Sequence, residues 1–195
     1  MISIHGPNPA DIRHQNILDF LRLRKSEFVD RLGWDLTHTP EAEWDEYDLP
    51  NSLFVVAYED GDCIGGARLM RTDSKTPQRN GPELSFMLAD FLSGTLPVGF
   101  DPSVMKSEIR PNPKIWEMTR FVGSPRVTRK ILSHVNNYLA DLGANSVLTI
   151  SPRLMPLALK RLGYSVTVLS DPVEFDGLDY VVLETSVQSA RQKAV

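Results

Sequence analysis

Two extended apolar segments, Leu53 to Tyr58 and Asp62 to Met70, flank Glu59-Asp60-Gly61. An Asp-Gly pair between extended segments is a strong hairpin signal, because the tight turn needs positive φ at its centre. The hairpin commits the chain to a sheet, and the rest of the pattern supplies its partners. Lys114 to Val122 reads as a strand. Pro125 opens a helix over about Arg126 to Leu142, stopped by Gly143. Ser146 to Ile150 reads as a strand, Pro152 to Leu162 as a helix stopped by Gly163, and Ser165 to Leu169 and Leu178 to Glu184 as strands. Ahead of the hairpin, Ile17, Leu18, Leu21, Phe28 and Leu32 recur at helical spacing between about Pro9 and Arg31, as one amphipathic helix or a pair ended by Gly33. Phe86 to Leu92 is a short helix; segments 34–52, 71–83 and 93–113 are loops; the tail after Ser186 is expected to fray. This order predicts an α/β fold, a three-layer α/β/α sandwich around a sheet of mixed direction. There is no GxGxxG, so a dinucleotide site is unsupported.

Composition narrows the class. The chain has 195 residues, 42% of them apolar, which fits one globular domain over residues 1–195. The longest apolar run, Leu53 to Tyr58, is far shorter than the roughly 20 residues that span a bilayer, so no membrane insertion is expected. The first residues do not read as a signal peptide, and a cytoplasmic location is the expectation. Cys63 is the sole cysteine, which excludes an intramolecular disulfide; inside a strand it reads as a small apolar residue rather than a nucleophile. The four histidines are scattered without metal spacing, and no metal is expected. No GxSxG elbow is present. A net charge of −4 argues against nucleic acid as partner.

That charge is divided unevenly. From Asp35 to Asp62 there are nine acidic residues and no Lys or Arg. From Val122 to Ser165, Arg126, Arg129, Lys130, Arg153, Lys160 and Arg161 face one acid, Asp141. The acidic stretch suits a cationic small substrate and the basic helices suit an acidic partner; two solvated faces are the plainer reading. Within the strand Trp116-Glu117-Met118-Thr119-Arg120-Phe121, regular alternation puts Glu117 and Thr119 on one face and Met118 and Arg120 on the other. Ionisable groups in an apolar strand are either paired or used, so Glu117 is a candidate base and Arg120 a candidate carboxylate clamp. Arg24 and Phe28 lie one helical turn apart, with Trp34 just beyond, a cation and two aromatics suited to a flat charged ligand or simply to the core.

In sum, Arg24-x3-Phe28-x5-Trp34, Asp45-x2-Asp48, Arg68 in ARLMRT and Glu117-x2-Arg120 in WEMTRF resemble the acyl-homoserine-lactone (autoinducer) synthases of the LuxI type, over roughly residues 15 to 185. Arg71 stands where the family usually has proline, and Thr119 where it often has serine, keeping the hydroxyl. The resemblance implies a GNAT-like acyltransferase fold and a quorum-sensing signal synthase. Its substrates would be S-adenosylmethionine and an acyl-acyl-carrier-protein, with no further cofactor. It assigns Arg24, Phe28, Trp34, Asp45, Asp48 and Arg68 to the S-adenosylmethionine loop and its charge network, and Glu117, Thr119 and Arg120 to catalysis. Met118, Leu148, Thr149 and Met155 would line the acyl pocket, and Arg126, Arg129, Lys130, Arg153 and Lys160 would dock the carrier. Gly123-Ser124-Pro125-Arg126 lacks the glycine-rich turn that holds coenzyme A pyrophosphate in related acetyltransferases. An acetyl-coenzyme A N-acetyltransferase and a non-catalytic acyl- or carrier-binding homologue are the rival expectations.

Overall fold

A computed structural model of the chain describes residues 2–6, 13–48, 51–77, 83–96, 99 and 101–188. Its strands are β1 (Ile2–His5), β2 (Leu53–Glu59), β3 (Asp62–Arg71), β4 (Ile115–Gly123), β5 (Ser146–Pro152), β6 (Val166–Val168), β7 (Val173–Phe175) and β8 (Leu178–Ser186). Its helices are α1 (His14–Arg24), α2 (Met87–Ser93), α3 (Pro125–Asp141) and α4 (Met155–Arg161). These elements form two compact units, residues 1–69 with 118–138 and residues 70–117 with 139–195, and the chain crosses between units within β3, β4 and α3.

In the first unit, β1, β2, β3 and the second part of β4 follow one another in the sheet. The expected turn joins β2 to β3, with Asp60 at φ 53° and Gly61 at φ 97°. Val55, Val56, Ala57 and Ala67 are fully buried, so the hairpin is covered on both faces. Gly65 and Gly66 show what covers it. A Cβ on Gly66 would lie 2.6 Å from the Phe20 ring of α1, and one on Gly65 would lie 2.7 Å from Val127 of α3. Neighbouring strand residues point to opposite faces. The α1 and α3 helices therefore sit on opposite sides of the hairpin, which gives the expected helix–sheet–helix layering. Lacking side chains at both points, the strand lets the helices approach closely.

Beyond Arg24 the helix changes its winding. Lys25–Arg31 is π-helical, and Leu32 N–H bonds Glu27 O five residues back at 3.1 Å. Gly33, at φ +72°, ends the segment, and Trp34 N–H closes onto Phe28 O at 2.9 Å. The wider turn rotates Phe28 away from the position a regular α-helix would give it. The expected onset of this helix near Pro9 falls outside the described residues; among them α1 begins at His14.

In the second unit, Ile115–Glu117 of β4 pair in parallel with Ser146–Leu148 of β5, and β5 pairs antiparallel with β8. The mixed direction read from the sequence is thus present. β8 also pairs antiparallel with β6 and β7. Leu148, Val182 and Leu183 are the buried centre of these strands. β1 and β7, four and three residues long, were not read as strands from the sequence. Pro152 closes β5 opposite Tyr180 instead of opening α4, which starts at Met155. Residues 189–195 of the expected frayed tail lie outside the described residues. No helix among the described residues is long and apolar enough to cross a membrane.

Candidate functional site

The first unit buries a cluster of six charged side chains. The end of α1 supplies Arg24; the following loop supplies Glu43, Asp45 and Asp48; β3 supplies Arg68 and β4 supplies Arg120. Three cations face three carboxylates, so the cluster is neutral as a whole. Arg24 donates from Nε to Glu43 at 2.5 Å and from Nη1 to Asp48 at 2.7 Å. Arg68 donates from Nη1 to Asp45 and to Asp48 (2.9 Å), and from Nε to the Thr119 hydroxyl at 3.0 Å. Arg120 forms ion pairs with Glu43 (3.3 Å) and Asp45 (2.8 Å). Burial disfavours the Arg24 and Arg68 cations, but their carboxylate partners outweigh it and raise both above the ordinary arginine range. Burial likewise pushes the Asp45 carboxyl up, yet Arg68, Arg120 and Arg24 together hold it down at about 2.

The loop that carries the three acids is fastened, not open. Asp45 accepts from Tyr47 N–H and Asp48 accepts from Asp45 N–H, both at 2.9 Å, so each aspartate also shapes its own turn. Glu43 N–H bonds Leu21 O of α1 at 3.2 Å. Tyr47 is buried, with the Arg68 guanidinium over its ring at 5.6 Å. This corrects the expectation that the acidic stretch waits for a cationic substrate. Glu43, Asp45 and Asp48 are neutralised by arginines, and Glu59 is held by Arg126 through both carboxylate oxygens at 2.7 Å. The resemblance put Arg68 and Arg120 in a charge network with Asp45, Asp48 and Glu117; the two aspartates are indeed paired with these arginines, whereas Glu117 instead binds the Met87 and Leu88 N–H groups. Glu43 stands in the acidic run read from the sequence but was not assigned to the site; the available signal was an uncompensated acid in a segment without cations.

Thr119 and Arg120 are adjacent, yet both reach the cluster, which the alternation of a regular strand forbids. The reason is Arg120, whose φ of +52° lies in the left-handed region. Such a backbone costs a non-glycine residue about 1–3 kcal/mol and persists where the surroundings impose it. It turns the Arg120 guanidinium over the Phe28 ring at 5.8 Å, and Phe28 stacks on Trp34 with centroids 5.1 Å apart and planes 10° apart. Arg24, Phe28, Trp34, Asp45, Asp48, Arg68, Thr119 and Arg120 are therefore brought together, joined by Glu43.

Glu117 belongs to the second unit and has its own setting. It is buried, and its two carboxylate oxygens accept the N–H groups of Met87 (2.8 Å) and Leu88 (2.7 Å) at the start of α2. These are N–H groups that a helix start leaves without internal partners. Leu148 and Thr149 are buried on β5, with Ser151 bonded to the Thr149 hydroxyl at 3.3 Å; Met155 and Met118 are half-buried. Arg129 and Lys130 are exposed on α3. Arg153 and Lys160 are exposed at a cleft of about 350 Å3, which Lys106, Leu157, Val168 and Val181 also line. Burial pushes the Cys63 thiol up to about 11, which keeps it protonated and unfit as a nucleophile. Among the described residues no group of His, Cys, Asp and Glu is arranged to hold a metal ion.

Residues 9–97 match the family of autoinducer synthases, a segment that holds Arg24, Phe28, Trp34, Asp45, Asp48 and Arg68. An acyl-homoserine-lactone synthase of Pseudomonas aeruginosa is 26% identical over 191 residues, covering 94% of this chain and 85% of that protein. Over that segment and beyond it, the chain is similar to the autoinducer synthases. The family's members are acyltransferases. Solved structures agree on the fold. TofI in a ternary complex with an inhibitor and methylthioadenosine superposes with a TM-score of 0.77 at 22% identity, covering all of this chain and 95% of that one. A coenzyme A-dependent acyl-homoserine lactone synthase with S-adenosylmethionine and isopentyl-coenzyme A gives 0.76 at 19% identity, covering 99% and 86%. The GNAT-like acyltransferase architecture implied by the sequence is the observed one.

Proposed function

We propose that the chain is an acyl-homoserine-lactone synthase, acting as one domain over residues 1–195. It transfers an acyl group from a thioester to the amine of S-adenosylmethionine, closes the lactone and releases methylthioadenosine. The observation that carries this reading is similarity to the autoinducer synthases across the segment that supplies five of the six charged side chains of the cluster and the Phe28–Trp34 stack. An aromatic stack under a guanidinium suits a substrate with a flat base at one end and a carboxylate at the other.

Two bonds form and two break. The substrate amine loses a proton and attacks the thioester carbon, and the thiolate departs. The substrate carboxylate oxygen then attacks its own γ-carbon and displaces methylthioadenosine. Glu117, held by the α2 N–H groups, is the proposed base, acting directly or through a water. Ring closure requires chiefly a folded substrate, which a fixed carboxylate and a fixed base supply. Thr119 supports the site by holding Arg68. Met118, Leu148, Thr149 and Met155 are proposed to line the acyl pocket.

The proposed donor is an acyl-acyl-carrier-protein, docked by Arg126, Arg129, Lys130, Arg153 and Lys160. The cations at the Arg153–Lys160 cleft fit an acidic carrier, and Gly123-Ser124-Pro125-Arg126 supplies no glycine-rich phosphate turn. Likeness to a coenzyme A-dependent synthase favours acyl-coenzyme A as a second reading. Purified protein given S-adenosylmethionine and acyl groups of several lengths, on carrier protein and on coenzyme A, tests both. Donor-dependent methylthioadenosine release with a lactone product supports the synthase and names the donor. Consumption of acetyl-coenzyme A without methylthioadenosine replaces it with an ordinary acetyltransferase. Folded protein that binds S-adenosylmethionine but turns over no donor replaces it with a binding homologue.

A further inference from the structure

We infer that Glu43 is a positioning residue: it holds the Arg120 guanidinium in place to receive the carboxylate of the amino-acid end of the substrate. The inference rests on the proposed use of S-adenosylmethionine.

The three arginines of the cluster differ in what they have left to offer. Arg24 and Arg68, at 0% and 1% exposure, are hydrogen-bonded to carboxylates inside the protein, and although Nη2 of each lacks a hydrogen-bond partner it is sealed from solvent. Arg120 is 13% exposed, and its contacts to Glu43 and Asp45 are ion pairs rather than aligned hydrogen bonds. Arg120 Nε, Glu43 Oε1 and Asp45 Oδ2 are all buried without a hydrogen-bond partner, and these three atoms line the same seam. The Arg120 cation is correspondingly under-compensated. Burial lowers its pKa, Asp45 and Glu43 recover only part of that, and the Arg68 and Arg24 cations lower it further. An incoming carboxylate would supply the missing negative charge.

Glu43 is fully buried, so it acts through Arg120 and not on a ligand. It is tied from the other side by Arg24 Nε at 2.5 Å and by its own N–H to Leu21 O. The result is a rigid support under a guanidinium whose backbone is already turned at φ +52° toward the Phe28–Trp34 stack.

Two ligands separate this role from general folding. S-adenosylmethionine carries the amino-acid arm and methylthioadenosine lacks it, while both carry the flat base. Calorimetric titration of E43Q is expected to show S-adenosylmethionine binding weakened about tenfold or more, with methylthioadenosine binding unchanged. R120M is expected to give the same selective loss, and E43Q is expected to add nothing further in the R120M background. Unchanged S-adenosylmethionine affinity in folded E43Q, equal loss of both ligands, or additive effects in the double variant would each overturn the role. Should E43Q fail to fold, E43D keeps the charge on a shorter stem. A smaller loss confined to S-adenosylmethionine is then expected, and no loss or an equal loss of both ligands overturns the inference. Failure of the underlying reading looks different: wild-type protein would bind neither ligand.

Discussion

At the scale of single residues, the chemistry is governed by which charges are compensated and which are not. Asp45 touches Arg68, Arg120 and, more distantly, Arg24, so removing its charge leaves buried cations unpaired. Asp45→Asn is expected to cost about 3–5 kcal/mol in chemical denaturation. The same carboxylate makes stability pH-dependent. Its folded-state pKa, about 2, lies below the ordinary value, so its contribution is complete above about pH 4 and is lost as pH falls toward 2. The depression is worth about 2 kcal/mol, read as acid destabilisation across that window. Glu117 is expected to show its role through rate. Glu117→Gln should lower kcat for methylthioadenosine release by roughly 100-fold or more, as loss of a general base does. An amide also donates, so it clashes with one of the two α2 N–H groups. Near-normal turnover in folded Glu117→Gln would remove Glu117 from the role of base.

At the scale of elements, two close approaches and one change of winding place the site. Gly66 lets Phe20 of α1 rest on the hairpin, and Arg24 follows one turn beyond Phe20 with its guanidinium 5.8 Å from that ring. Gly66→Ala would force its Cβ against both the Phe20 ring and Val55 O, each 2.6 Å away, and neither can yield without moving the helix or the strand. It is expected to cost about 1–3 kcal/mol and to lower the thermal midpoint. The π-helical stretch Lys25–Arg31 then carries Phe28 to its stack with Trp34. Such segments occur disproportionately at functional sites. The hairpin, its turn, and the ends of the helices at Gly33, Gly143 and Gly163 were legible because each depends on residues a few positions apart. The π winding and the turned backbone at Arg120 were not, since no local sequence preference demands either.

At the scale of the whole molecule, opposed charge runs in the sequence resolve into different fates. Part of the acidic run is consumed inside the first unit, whereas Arg129, Lys130, Arg153 and Lys160 remain exposed. If those cations dock an acidic carrier, the Michaelis constant for the carrier substrate should rise severalfold from low to 0.3 M salt, because screening weakens exposed pairs. A flat response would place docking elsewhere. From the sequence alone came the α/β class, the mixed sheet order and the residues that carry the family resemblance, because periodicity, turn chemistry and motif spacing are written along the chain. Only the tertiary structure decided that Asp45, Asp48, Arg24, Arg68 and Arg120 neutralise one another, that Glu43 joins them, and that Glu117 binds the start of α2. Those outcomes depend on which charges meet once apolar faces have packed, and buried charges must find partners across tens of residues of chain.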